Sequence, residues 1–194
     1  VRKLFILVAG FSLLALGAEV EISVRFDPEK HEIFGSQWIT FSEPQEEAWF
    51  VVLANLGREP NPYVSPLIQD SIYVSGFDPA CTRIERAVWE KTGEDLPFEL
   101  LPAPATYQTY SLSDVLLRVF LPSEAGKLRL DSRTRFPHVW VEPGRLGDIY
   151  TWRFGWHPIL LPEKPGEAFP LVLPFHEYTV ELELPEGWQA FLPG

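Results

Sequence analysis

The chain has 194 residues, of which 46% are apolar and 22% charged, enough for one domain around a real hydrophobic core. Its net charge of −11 sets a repulsive surface against phosphate backbones and argues against nucleic-acid binding. The single cysteine, Cys81, can close no internal disulfide, so the fold must rest on packing, and no histidine stands near it in sequence to make it a nucleophile.

The first residues, "VRKLFILVAGFSLLALGAEV", read as a secretory leader. Arg2 and Lys3 form the basic start, Leu4 to Leu16 is the apolar run, and Gly17 and Ala18 supply small residues for cleavage. The expected division is therefore a signal peptide over 1–18 and a β-sandwich over 19–194. The apolar run is shorter than the roughly 20 residues that cross a bilayer. Membrane contact is expected only through an uncleaved N-terminal segment, and the expected location is secreted or periplasmic.

From residue 20 onward the period is two. "VEISVRF" sets Val20, Ile22, Val24 and Phe26 against Glu21, Ser23 and Arg25, a strand with one wet face. "DPEKHE" is a turn, and "IFGSQWITFS" is a second strand with Gly35 at an expected bend or bulge. "AWFVVLANL" is continuously apolar and reads as a central strand. Residues 57–70 have turn chemistry, and "SIYVSGF" after them reads as a short strand. "CTRIERAVWEKTG", residues 81–93, is the one candidate helix.

The second half alternates more cleanly. "SDVLLRVFLP" and "KLRLDSRTRFP", joined through Glu124-Ala125-Gly126, have the pattern of a β-hairpin. "DIYTWRFGW" is another strand, and "HEYTVELELP" sets Tyr178, Val180, Leu182 and Leu184 against Glu177, Thr179, Glu181 and Glu183. The 19 prolines, about twice the usual ~5%, are scattered as turn residues and disfavour long helices. The fold class expected is all-β: an antiparallel sandwich of about eight to ten strands with at most one short helix.

Motifs for chemistry are scarce. "HEIFG" and "HEYTV" each open on His-Glu, but a zinc protease motif needs a second histidine four residues on, where Gly35 and Val180 stand. There is no G-x-S-x-G elbow and no glycine-rich phosphate loop. The carboxylates alternate outward on strands, as a solvated face does. No metal site and no cofactor is expected. The aromatics are the remaining signal: of seven tryptophans, Trp140, Trp152 and Trp156 lie close together, with His157 next to the last. They read as a core or interface set, with a sugar-stacking or protein-binding platform as the alternative.

The order of segments carries a resemblance. "IFGSQWITFSEP", with Gly35, Ile39 and Phe41, comes first, followed by "AWFVVLANL" and the hairpin ending "RTRFP". "TWRFGWHPILLP", with Trp156 and Pro158, then leads into "FHEYTVELELPEGWQAFLPG", with Tyr178, Val180, Leu182, Leu184, Pro185 and Gly194. This series resembles the N-terminal β-sandwich domain of M1-family (aminopeptidase N-like, gluzincin) metallopeptidases. The resemblance implies a domain that packs beside a thermolysin-like catalytic domain and closes one side of its substrate cleft. The family's "G-x-M-E-N" and "H-E-x-x-H" motifs are absent, so no catalytic or zinc residue carries over. The chain is expected to be non-enzymatic, a truncated or stand-alone ancillary domain, with a gluzincin-like catalytic domain or another protein as partner. Trp156 and Pro158 then mark a seam, and His157 between them is expected to be structural or to line the face such a partner covers.

Overall fold

The computed structural model describes residues 2–8, 18–60, 64–73, 75–102, 113–139, 144–152, 155–166 and 176–190, with 2–8 and Glu177 described by backbone alone. In chain order the elements are β1 (Arg2–Val8), β2 (Glu19–Asp27), β3 (Glu32–Phe41), β4 (Glu47–Val51), helix α1 (Pro66–Ile72), β5 (Cys81–Trp89) and β6 (Glu94–Asp95). They continue with β7 (Phe98–Leu101), β8 (Leu116–Phe120), β9 (Gly126–Arg135), β10 (Gly144–Leu146), β11 (Ile149–Thr151), β12 (Ile159–Leu160) and β13 (Glu177–Leu184).

A seven-stranded sheet runs β1-β13-β2-β3-β9-β5-β6, and a four-stranded sheet runs β12-β4-β8-β7. A two-stranded ribbon, β10-β11, stands apart from both. Alternation dictates the large sheet. Val20, Ile22, Val24 and Phe26 of β2 are buried, while the residues between them are wetter. They share one core cluster with Phe50, Leu117, Val119 and Leu160 of the small sheet, so the two sheets pack face to face as a sandwich. The polar row of the large sheet is laced with ion pairs: Lys127 with Glu21, Arg133 with Glu32 and Glu85, and Arg129 with Asp131.

The continuous apolar run of β4 has a direct cause. Ala48 and Phe50 face the main core, while Trp49 and Val51 join a second cluster with Leu116 and Ile159 on the other face. A strand buried on both faces has no wet row to alternate with.

Four expectations need correction. Residues 81–93 are not a helix: Cys81–Trp89 is strand β5, paired antiparallel with β9. Its register shifts between Ile84 and Arg86, so Thr82 above the bulge and Ala87 and Trp89 below it face inward on opposite parities. Residues 57–77, expected as turn and strand, contain helix α1, which Ser65 and Pro66 start: the Ser65 hydroxyl accepts the Ile68 N–H at 3.4 Å. Strands β8 and β9 do not pair as a hairpin. The connection crosses from one sheet to the other, because Leu117 and Val119 on one side and Leu128 and Leu130 on the other fill the same core. The ladders of β3 continue through Gly35 without a bulge, opposite Val24 and Ser132. In addition, β13 runs parallel to β2, while the other ladders between named strands are antiparallel.

Segment 2–8, expected as part of a leader, lies along the outer edge of β13 as β1. Lys3 stands opposite Glu183 in that ladder.

Candidate functional site

Of the residues expected at a site, Trp140 lies outside the described residues. Trp152 does not stand free as a platform. Its ring packs edge-on to Phe26 at 5.4 Å and tilted on Phe136 at 5.3 Å. Tyr150 and Trp188 pack edge-on against the same Phe26, at 4.7 and 5.0 Å. The ribbon β10-β11 thus lays its aromatics over one end of the core.

Trp156 does not continue the strand of Trp152. Gly155 between them has φ +75°, a left-handed conformation that turns the chain, and a Cβ there would meet Leu53 Cβ at 3.2 Å. The turned-back backbone is held where the Trp156 carbonyl accepts the Thr134 hydroxyl at 2.7 Å. Thr134 and Thr82 share a further hydroxyl bond at 2.7 Å inside the large sheet. The half-buried Trp156 ring then meets His157 edge-on at 4.5 Å, His157 meets Tyr178 at 5.4 Å, and Tyr178 meets His176 at 5.9 Å. A file of aromatic rings therefore joins the turn after Gly155 to the start of β13.

Burial keeps charge off two members of this file, His157 and Tyr178. Burial lowers the His157 imidazole from its ordinary value to about 4; the Pro158 carbonyl, 2.8 Å from Nδ1, pulls the other way, and nearby His176 lowers it further. With Nδ1–H donated to that carbonyl, His157 is neutral at physiological pH and acts as a packed ring. Burial likewise pushes the Tyr178 hydroxyl up to about 12.

The file ends at a cleft of about 430 Å³, in the size range of small-ligand sites. The cleft opens where β2 and β13 begin, β3 ends and β4 begins. Ala18 and Glu19, Thr40 to Ser42, Glu47 to Trp49, Leu160 to Lys164 and His176 line it. His176 is 5% exposed and its Nε2–H donates to the Leu160 carbonyl at 2.8 Å, tying β13 to β12. Trp49 Nε1–H donates to Glu47 at 2.8 Å. That bond, and then the Arg118 guanidinium 2.5 Å from the same carboxylate, hold Glu47 below the usual carboxyl range. Lys164 Nζ lies 5.7 Å from the Trp49 ring centre, in cation–π range.

Sequence reasoning singled out Trp156 and His157 but not the cleft they lead to. Trp49 was hidden in an apolar run, and Lys164 stood among turn residues. His176 entered only as half of a failed zinc motif. Among the described residues no group of three or more His, Cys, Asp or Glu is placed to hold a metal. The site offers aromatic surface, the buried His176 ring and carboxylates at its rim, which suits binding.

No protein-family model matches the sequence, and no curated protein matches it. Among solved structures the fold is similar to the M1 zinc metallopeptidase from Deinococcus radiodurans, with a TM-score of 0.42 and 14% identity. That likeness covers 89% of this chain and 33% of the other, so the chain spans about a third of that protein's length.

Proposed function

We propose that this chain is a non-catalytic β-sandwich of the accessory kind, resembling the domain that shapes the substrate cleft of M1-family, aminopeptidase N-like metallopeptidases. In this reading it works by packing and by presenting a face to a gluzincin-like catalytic domain, outside the cytoplasm. The observation that carries the reading is that the segments bearing the resemblance are neighbours in the fold. Gly35, Ile39 and Phe41 lie on β3, which pairs with β2, which pairs with β13. The Trp156–Pro158 turn rests on Tyr178 of that same β13 through His157. Segments scattered over the sequence therefore act as one structural unit, as a family's scaffold does. Export is part of the proposal and rests on Arg2, Lys3 and the apolar run from Leu4 to Leu16.

The test is direct. The purified chain, supplied with zinc, is offered a panel of aminoacyl-anilides. No turnover above buffer is expected, whereas chelator-sensitive release of the aniline by the chain alone would reject the reading.

A further inference from the structure

The outer side of β13 is covered by β1, which runs antiparallel along it in register from Arg2 opposite Leu184 to Val8 opposite Tyr178. In the two packed sheets the other outer strands are short: β6 and β12 have two residues each and β7 has four. An unpaired edge is a row of open N–H and C=O groups, and a long one is normally blunted by a proline, a bulge or an inward charge. β13 carries none of these. No proline stands between Glu177 and Leu184, and the ladder with β2 is regular over its whole length. Its core-facing row is Tyr178, Val180, Leu182 and Leu184. The segment on this edge, residues 2–8, belongs to the stretch read as a leader. In an exported chain without it, the edge is open from Tyr178 to Leu184.

The strand seated there defines what the edge accepts. Leu4, Ile6 and Val8 stand opposite Leu182, Val180 and Tyr178, and Lys3 stands opposite Glu183. The fit is to an antiparallel segment that is apolar at every second residue and basic between. Charge disfavours a second copy of this chain in that place. Two β13 strands joined edge to edge continue one sheet, so the row Thr179, Glu181 and Glu183 of one meets the same row of the other, and like charges opposite each other destabilise a ladder. The net charge of −11 opposes self-association in the same sense.

We propose that export turns the outer edge of β13 into a docking site for an extended segment of another protein, which adds an antiparallel strand where β1 lay. Backbone hydrogen bonds along 178–184 hold that segment, its alternate apolar residues lie against Val180 and Leu182, and a lysine or arginine faces Glu183. The inference rests on the export reading, because the edge is free only after residues 2–8 have left.

For the test, the full-length gene is expressed in a secreting host, and the intact mass of the product shows whether residues 2–8 are gone. The probe is a capped peptide of residues 2–8 carrying Phe5→Thr and Leu7→Thr for solubility, titrated into the released chain and followed by NMR at the amides of β13. Saturable shifts centred on β13, with slowed hydrogen exchange along 178–184, are expected. Lys3→Glu in the peptide should weaken binding by about threefold to tenfold, and Glu183→Lys in the protein, a half-buried side chain outside the core row, should restore it. Ile6→Pro in the peptide removes a ladder donor and should abolish binding. Loss of residues 2–8 without saturable shifts would overturn the proposal and leave the export reading standing, whereas a product that keeps them would overturn both. Equal binding by the proline peptide, indifference to the Lys3→Glu exchange, or a dimer of the released chain joined through β13 would also overturn the proposal.

Discussion

His157 illustrates how one residue's surroundings decide its role. Held near a pKa of about 4 inside the aromatic file, it stays neutral in the folded chain, whereas in the unfolded chain it titrates near 6.5. Above pH 6.5 both states are unprotonated and the difference contributes nothing. Below it the unfolded state binds a proton that the native state refuses, so stability falls as pH drops from about 6.5 towards about 4. For this half-buried ring the expected loss is about 2 kcal/mol across that window, and urea unfolding at stepped pH should show it. His157→Gln should flatten that part of the profile; an unchanged profile would mean that other groups govern it. Trp152 gives a second residue-scale test. Edge contacts with Phe26 and a tilted contact with Phe136 make it a packing residue, so Trp152→Ala should lower stability by about 2–4 kcal/mol. A sugar platform would instead lose ligand binding with stability intact. The proximity of Trp152 and Trp156 was readable in the sequence. Their shared parity would put them on one face of a straight strand, with Gly155 between them as the residue able to bend it, and the left-handed turn at Gly155 is what parts them.

At the scale of elements, alternation was legible wherever one strand face is wet and one dry, as in β2, β9 and β13. It failed where a parity changes within one strand. In β5 the bulge moves the inward row from Thr82 to Ala87 and Trp89, and the resulting odd spacings imitate a helical face. The β8–β9 connection failed for another reason: local patterning is the same whether two successive strands pair edge to edge or face each other across the core. Here the turn delivers Gly126 at the start of β9 beneath the Trp89 ring of β5. A Cβ at 126 would lie 2.3 Å from Trp89 Cζ2, and Trp89 is only 1% exposed, so the ring cannot move aside. Gly126→Ala should therefore destabilise by about 1–3 kcal/mol, read as a lower urea midpoint with an unchanged slope. A neutral result would show that the β5–β9 junction is looser than its packing indicates.

Across the whole molecule, the sandwich follows from composition and periodicity, but the cleft does not. Glu19, Trp49, Lys164 and His176 are spread along the chain and meet only because β13 returns beside β2 in parallel while β12 lies on β4. No local pattern encodes that return, which is why the sequence drew attention to His157 and not to the place of His176 beside the cleft. The central claim is that this sandwich serves by its surfaces and performs no zinc chemistry of its own. Equilibrium dialysis of the purified chain against micromolar zinc, followed by metal analysis and an aminopeptidase assay on the same sample, tests it most directly. The account predicts no tightly held zinc and no peptidase activity in either fraction; one zinc per chain, removed together with measurable aminopeptidase activity by a chelator, would contradict it.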